Sequence, residues 1–299
     1  MQDLAQVKVF FEENGFYGPF KVYEEDEARE MLKTIRKESS TQENAIFKND
    51  CNYDRHFDID VLSRHISNPR IVEVVQAILG NSNLLCWRTE FFPKFPGSKG
   101  TEWHQVERFQ YTTGAPQLQP SDGKAGDIVN ELTVWTAFTD STVENGCMKF
   151  LPGSHKKKYY DESLPATVGR EEVYSSVSAE TSFFGYNFSD FKIDKDWEPD
   201  EDKAFSMVMK PGEAVVFTAK CVHASHPNRT KNSTRFAITA RYVTTDVMVY
   251  PTQDTFYEHG GYFDLKDYGT VLVSGEDKYA HNRKRDTNNN GLPFVPVES

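Results

Sequence analysis

The sequence predicts a mainly β protein with flanking helices, an α+β arrangement in which early helices pack outside a barrel or double sheet. Helical periodicity is confined to residues 1–83. From residue 84 onward the runs are short and rich in Val, Thr and aromatics, the composition of strands. Pro-Gly turns at 96–97, 152–153 and 211–212 punctuate those runs.

The first helix is expected over residues 3–14, where Leu4, Val7, Phe10 and Phe11 recur at helical spacing before Gly15. A second, over 24–38, starts acidic and ends basic, which suits the helix dipole. A third, over 68–79, opens with Asn68 as cap and Pro69 at its first position, and stops at Gly80. The strand-like runs that follow are LLCWRTEFFPKF, VNELTVWTAFTD, GCMKFLPGS, AFSMVMK, EAVVFTA and RFAITARYVTT. Residues 184–203 are polar, aromatic and aperiodic, and read as a long loop or lid. No repeat or long linker divides the chain, so 1–299 is expected to be one domain. Within it, 1–83 is a helical part packed on the barrel, 84–280 the β core, and 281–299 a frayed tail.

Composition narrows the function. Asp and Glu number 45 against 34 Lys and Arg, for a net charge of −11. A nucleic-acid binder needs a basic footprint, so neither nucleic acid nor an anionic membrane is an expected partner. No apolar run approaches the length of a membrane span, and the acidic start does not resemble a secretory signal. The four cysteines are scattered without a CxxC pair, which argues against zinc and for reduced thiols in a cytoplasm.

Of eight histidines, two stand out by context. His104, in GTEWHQVERF, follows a Gly-rich turn and opens a strand-like run; His223, in VVFTAKCVHASHPN, ends an apolar strand. Ligands projecting from strand ends into a barrel mouth suit a metal site. Twelve residues after His223, Arg235 opens the strand RFAITARYV. Arg235 and Arg241 lie an even number apart, so both face one side, with the small residues Ala237 and Thr239 between them. A guanidinium fork can grip a carboxylate with two parallel bonds, although either arginine could instead pair with one of the many acids. Non-haem iron oxygenase centres usually add a carboxylate to two histidines. That carboxylate typically lies two residues after the first histidine, and here the position is Val106. Glu107 is an odd number of residues away and would need a β-bulge to reach the metal.

The segments CWRTEFFPKFPGSKGTEWHQ, TVWTAFTD, NGCMKFLPGS, KIDKDWEPDED, MKPGEAVVF and HASHPN…RFAITARYV occur in that order between about residues 84 and 280. Together they resemble the iron(II)- and 2-oxoglutarate-dependent aliphatic halogenases of the syringomycin halogenase type, within the phytanoyl-CoA dioxygenase-like group. The resemblance implies a double-stranded β-helix, a jelly-roll, cupin-like core. It implies His104 and His223 as iron ligands, Arg235 as anchor of the distal cosubstrate carboxylate, and Arg241 as organiser of the pocket near the halide. Thr101, Thr133 and Trp135 fall on positions that line the cosubstrate and halide region. The expected cofactors are Fe(II), 2-oxoglutarate, O2 and chloride.

In such halogenases the position two after the first histidine is small, and chloride takes the vacated place on iron. Val106 shares the loss of the carboxylate but adds two methyls on a stiff χ1. Chlorination of an unactivated carbon is therefore the leading expectation. Hydroxylation on the same scaffold, or a remodelled jelly-roll binding protein, are the alternatives. The resemblance also implies an amino-acid-type substrate, free or tethered to an acyl or peptidyl carrier protein. The basic run HKKK at 155–158 is a candidate docking patch for an acidic carrier, and equally fits a solvated lysine cluster on a loop.

Overall fold

The computed structural model describes residues 3–49, 51–121, 130–166, 187–258 and 261–298. Helix α1 (Leu4–Asn14) is capped by Asp3, whose side chain accepts from the amides of Ala5 and Gln6, and ends at Gly15 with φ 84°. Helix α2 (Glu25–Thr41) carries Glu25, Asp26 and Glu27 in its first turn. It runs past the expected end at residue 38 to Thr41, and the hydroxyls of Ser39, Ser40 and Thr41 bond back onto carbonyls of the preceding turn. A short α3 (Asp60–His65) precedes α4 (Pro69–Leu79), which has the expected Asn68 cap and Gly80 stop.

The β core begins earlier than the sequence suggests. Between α1 and α2 lies β1 (Phe16–Lys21), an edge strand of the main sheet. The strands after it are β2 (Leu84–Lys94), β3 (Leu118–Pro120), β4 (Glu131–Ala137), β5 (Met148–Phe150), β6 (Phe205–Met207), β7 (Glu213–Phe217), β8 (His223–Ser225) and β9 (Arg235–Thr244). A four-residue helix, α5 (Gln110–Thr113), interrupts them. Then come β10 (Val247–Val249), β11 (Thr255–Glu258), β12 (Gly261–Asp264) and β13 (Val271–Ser274). The main sheet has the order β1-β7-β4-β9-β2-β13, and a smaller sheet has the order β6-β5-β8. This is a jelly-roll core of the double-stranded β-helix type.

Strand β9 lies between β4 and β2 and is buried along its whole length. Its odd positions face the interior, and its even positions, Phe236, Ile238, Ala240 and Tyr242, join the large core under the helices. The Tyr242 hydroxyl donates to the Ile66 carbonyl at 2.9 Å, tying the sheet to the helical layer.

Two expectations need correction. The run after His104 is not a strand: His104 makes a lone bridge to His223, and the chain then turns into α5. The tail does not fray either. Thr270 and Ser274 bridge to Lys284 and Val297, and the buried Asn288 donates to Asp60 and Ser63. Of the expected lid, residues 184–186 lie outside the described residues; the remainder holds one-turn helices at Phe188–Phe191 and Glu201–Lys203. Among the described residues no helix is long and apolar enough to cross a membrane.

Candidate active site

A cavity partly open to solvent lies between the two sheets. His104, His223, Val106, Arg235, Arg241, Thr101, Thr133 and Trp135 all line it. The expected residues therefore converge on one place from four separate stretches of chain.

His104 and His223 reach it by backbone pairing. Each donates its amide to the other's carbonyl at 3.0 Å, which brings the ring centroids to 4.1 Å. In both residues Nδ1 faces the carbonyl two positions back, Glu102 at 2.8 Å and Cys221 at 2.7 Å. A carbonyl can only accept, so Nδ1 carries the hydrogen and Nε2 the lone pair. Burial pushes the His104 pKa down to about 4. Burial, together with the neighbouring His104, pushes His223 well below its ordinary value. Both rings are neutral at physiological pH, the form that binds a metal.

The remaining histidines sit elsewhere. His56 meets the Thr89 hydroxyl, His65 the Tyr23 hydroxyl and His281 the Thr245 carbonyl. His226 turns away toward Ser206 at 2.9 Å, and His155 lines a separate groove. His259 lies outside the described residues.

Val106 donates its amide to the Ala219 carbonyl at 2.9 Å, and its side chain forms part of the cavity wall. Glu107 points the other way, within 3.9 Å of Lys220, so no bulge brings it round. Among the described residues no three His, Cys, Asp or Glu side chains gather as a metal site. The centre offers two imidazoles and an apolar wall.

The two arginines differ in their partners. Arg241 donates to Glu90 at 2.7 Å and to Thr133 at 3.0 Å, and its guanidinium lies 4.6 Å from the Phe109 ring centre. Burial lowers its pKa, but Glu90 and Glu131 outweigh burial and the net shift is upward. Arg235 is buried with no carboxylate partner among the described residues. It donates Nη1 to the Phe92 carbonyl at 3.1 Å and packs over Trp135, while its Nε has no partner. Burial lowers its pKa to about 10, so it stays charged. The Thr239 hydroxyl, on the same face, is likewise buried and unpartnered. Orphaned buried donors lining the cavity fit a bound anionic ligand, and the imidazole pair fits a divalent first-row metal.

Residues 11–237 match the phytanoyl-CoA dioxygenase (PhyH) family. The chain belongs to that family. Its fold is that of the iron and 2-oxoglutarate oxygenases. Curated relatives include a probable phytanoyl-CoA dioxygenase of Caenorhabditis elegans, 28% identical over 67% of this chain and 58% of that protein. The dioxygenase lolE1 of Epichloe uncinata is 29% identical over 60% of this chain and 54% of that protein. The chain thus spans between half and three fifths of these two curated relatives. A solved structure, CytC3 with Fe(II) and alpha-ketoglutarate, matches 98% of this chain and 96% of its own, with 36% identity and a TM-score of 0.76.

Three polar residues in or behind this PhyH-family site were not singled out from the sequence: Ser225, which lines the cavity, and Glu90 and Lys94, which bond to Arg241 and Ser225. Glu90, Phe92 and Lys94 alternate along β2 opposite Thr239, Ala237 and Arg235, so a period-two reading of FFPKF could have found the strand pair. Its register could not be read, because pairing is set by the partner strand.

Proposed function

We propose that this protein is an iron(II)- and 2-oxoglutarate-dependent oxidoreductase that chlorinates an unactivated carbon of an amino-acid-type substrate. The observation that carries the reading is a two-histidine centre walled by Val106, with Glu107 turned away to Lys220. His104 and His223 would hold the metal through Nε2, and Arg235 would grip the distal carboxylate of 2-oxoglutarate with its unpartnered donors. Arg241, neutralised by Glu90, would shape the pocket rather than bind the cosubstrate. Thr101, Thr133 and Trp135 would line the cosubstrate and halide region. With O2, the iron–cosubstrate pair supplies the oxidising power to take hydrogen from carbon.

The chain's own part is placement and exclusion. Val106 puts no charge where a third ligand would stand, which leaves room for chloride as the balancing anion. Phe109, Met148 and Phe217 supply apolar lining to the cavity. Which group reaches the carbon depends on where the substrate is held. The bulk of Val106 favours a second reading, hydroxylation, if its methyls leave no space for a halide. A carrier-tethered substrate is supported by a groove that shares Val106 with the cavity and is lined by Lys156, Lys157, Lys158 and Lys220. That basic groove suits an acidic carrier.

The test is anaerobic reconstitution with iron and 2-oxoglutarate, following the visible absorption band with and without chloride. A halide-dependent shift is expected. A band indifferent to chloride selects the hydroxylase, and no band at all defeats the metalloenzyme reading.

A further inference from the structure

Among the described residues that line the cavity, only Phe109 has its backbone in the left-handed region, at φ 57° and ψ 28°. For a bulky side chain that conformation costs free energy, and it persists only where the surroundings hold it. The ring is buried and stands edge-on to Trp87, with ring centres 5.2 Å apart. The Arg241 guanidinium lies over it at 4.6 Å. The ring thus covers one side of Arg241 and continues the cavity wall that Val106 begins.

What holds the turn is Glu162. Its side chain is buried, and one carboxylate oxygen accepts from the Arg108 amide, the other from the Gln110 amide at 3.0 Å. Both amides that flank Phe109 therefore end on one carboxylate. Burial lifts its carboxyl to about 7, against the pull of those same amides, which favour the ionised form. Glu162 is itself fixed by the chain before it. The buried Gln105 accepts from the Tyr159 amide at 2.8 Å and donates to the Lys157 and Lys220 carbonyls at 2.8 and 2.6 Å. The Asp161 amide donates to the Phe191 carbonyl at 2.7 Å. Beyond the turn, the Thr112 hydroxyl donates to the Phe109 carbonyl at 2.9 Å.

We propose that Glu162 is a positioning residue that sets the width of the cavity. Its carboxylate clamps the Phe109 turn, so that the ring stands against Arg241 beside Val106 and bars a ring-sized group from that side. Glu162 lines the adjoining groove rather than the cavity, and it acts through Phe109 alone. The inference rests on the reading above only for its bearing on which substrates enter; the clamp is tested without iron or cosubstrate.

Benzene is the probe, titrated into the full chain and followed by NMR at about pH 8, where the carboxyl is largely ionised. Wild type should bind it weakly. Phe109→Ala vacates the place of the ring and should bind benzene about tenfold tighter or more. Glu162→Ala should give a similar gain, because the released turn lets the ring leave. Glu162→Gln keeps one acceptor, stands in if the alanine variant does not fold, and should gain less. A second measurement separates positioning from stability alone. Glu162→Ala should lower the unfolding midpoint in the wild-type background and much less in Phe109→Gly, since glycine takes φ 57° without a clamp. Wild-type benzene binding in both Glu162 variants, or equal midpoint losses in the two backgrounds, would overturn the proposal. So would an unchanged affinity in Phe109→Ala, because the ring would then be no wall. Failure of wild type to bind 2-oxoglutarate would remove the cosubstrate reading and leave the benzene result to decide the clamp.

Discussion

Glu90 accepts a hydrogen bond from Arg241 at 2.7 Å through one carboxylate oxygen and meets Arg88 at 3.3 Å through the other. One buried carboxylate thus serves two buried guanidiniums, and Arg88 is served further by Glu258 at 3.0 Å. Arg241 is held within the protein's own charge network, and Arg235 is left for a ligand. On the cosubstrate reading proposed above, the cation that would bind is the one the fold does not neutralise.

Arg235→Leu should raise the 2-oxoglutarate requirement about tenfold or more, with iron still bound. Glu90→Ala acts differently, since it leaves the buried Arg241 without its carboxylate partner and should cost on the order of 3–5 kcal/mol of stability. Cosubstrate titration and denaturant unfolding separate the two effects. An unchanged titration for Arg235→Leu would move the clamp to Arg241.

His104→Ala and His223→Ala should each abolish iron binding, because two ligands leave no redundancy. His226→Ala and His155→Ala should leave it largely intact, as neither lines the cavity. Metal content after anaerobic loading decides this. Equal loss for His226→Ala and His223→Ala would mean the wrong histidine of HASH has been chosen.

Val106→Ala should enlarge the halide side of the cavity and preserve or tighten chloride dependence. Val106→Asp should offer iron a carboxylate, exclude the halide and suppress chlorination without creating an efficient hydroxylase, since the substrate keeps its position. Glu107→Ala should leave iron affinity unchanged. Loss of metal in Glu107→Ala alone would end the halogenase reading.

Asp54 offers a pH test away from the cavity. Burial lifts its carboxyl from 3.8 to about 7, against the opposing pull of Arg88 and the Thr89 amide. A folded pKa above the unfolded one means the folded state holds the proton longer. Stability from this group is therefore full below about pH 4, falls as pH rises to about 7, and is level beyond. Asp54→Asn keeps an acceptor for Thr89 and removes the ionisation. The gap in unfolding midpoint between variant and wild type should move in favour of the variant across that window and then flatten. A gap independent of pH would show no shifted titration at Asp54.

Reversing the charge of Lys156, Lys157 and Lys158 to Glu should weaken turnover of a carrier-tethered substrate and remove its sensitivity to salt. Iron and 2-oxoglutarate binding should not change. Unaltered turnover would remove the groove as a docking surface.

The sequence by itself determined three of the helices, α1, α2 and α4, since caps such as Asn68 and stops such as Gly80 act within a few residues. It also determined that Arg235 and Arg241 share a face, because strand alternation is local. It singled out His104, His223 and Val106 by neighbouring motifs. Only the tertiary structure decided that His104 pairs with His223 instead of opening a strand, and that Glu107 turns to Lys220. It also decided that Glu90 neutralises Arg241, and that the tail is pinned by Thr270 and Ser274. Each of those outcomes depends on a partner far along the chain, and no local pattern encodes the register in which two distant strands meet. The same holds for the charge of the cavity. Which buried cation goes unpaired is a balance struck across the whole sheet, and it appears only once every acid has found its place.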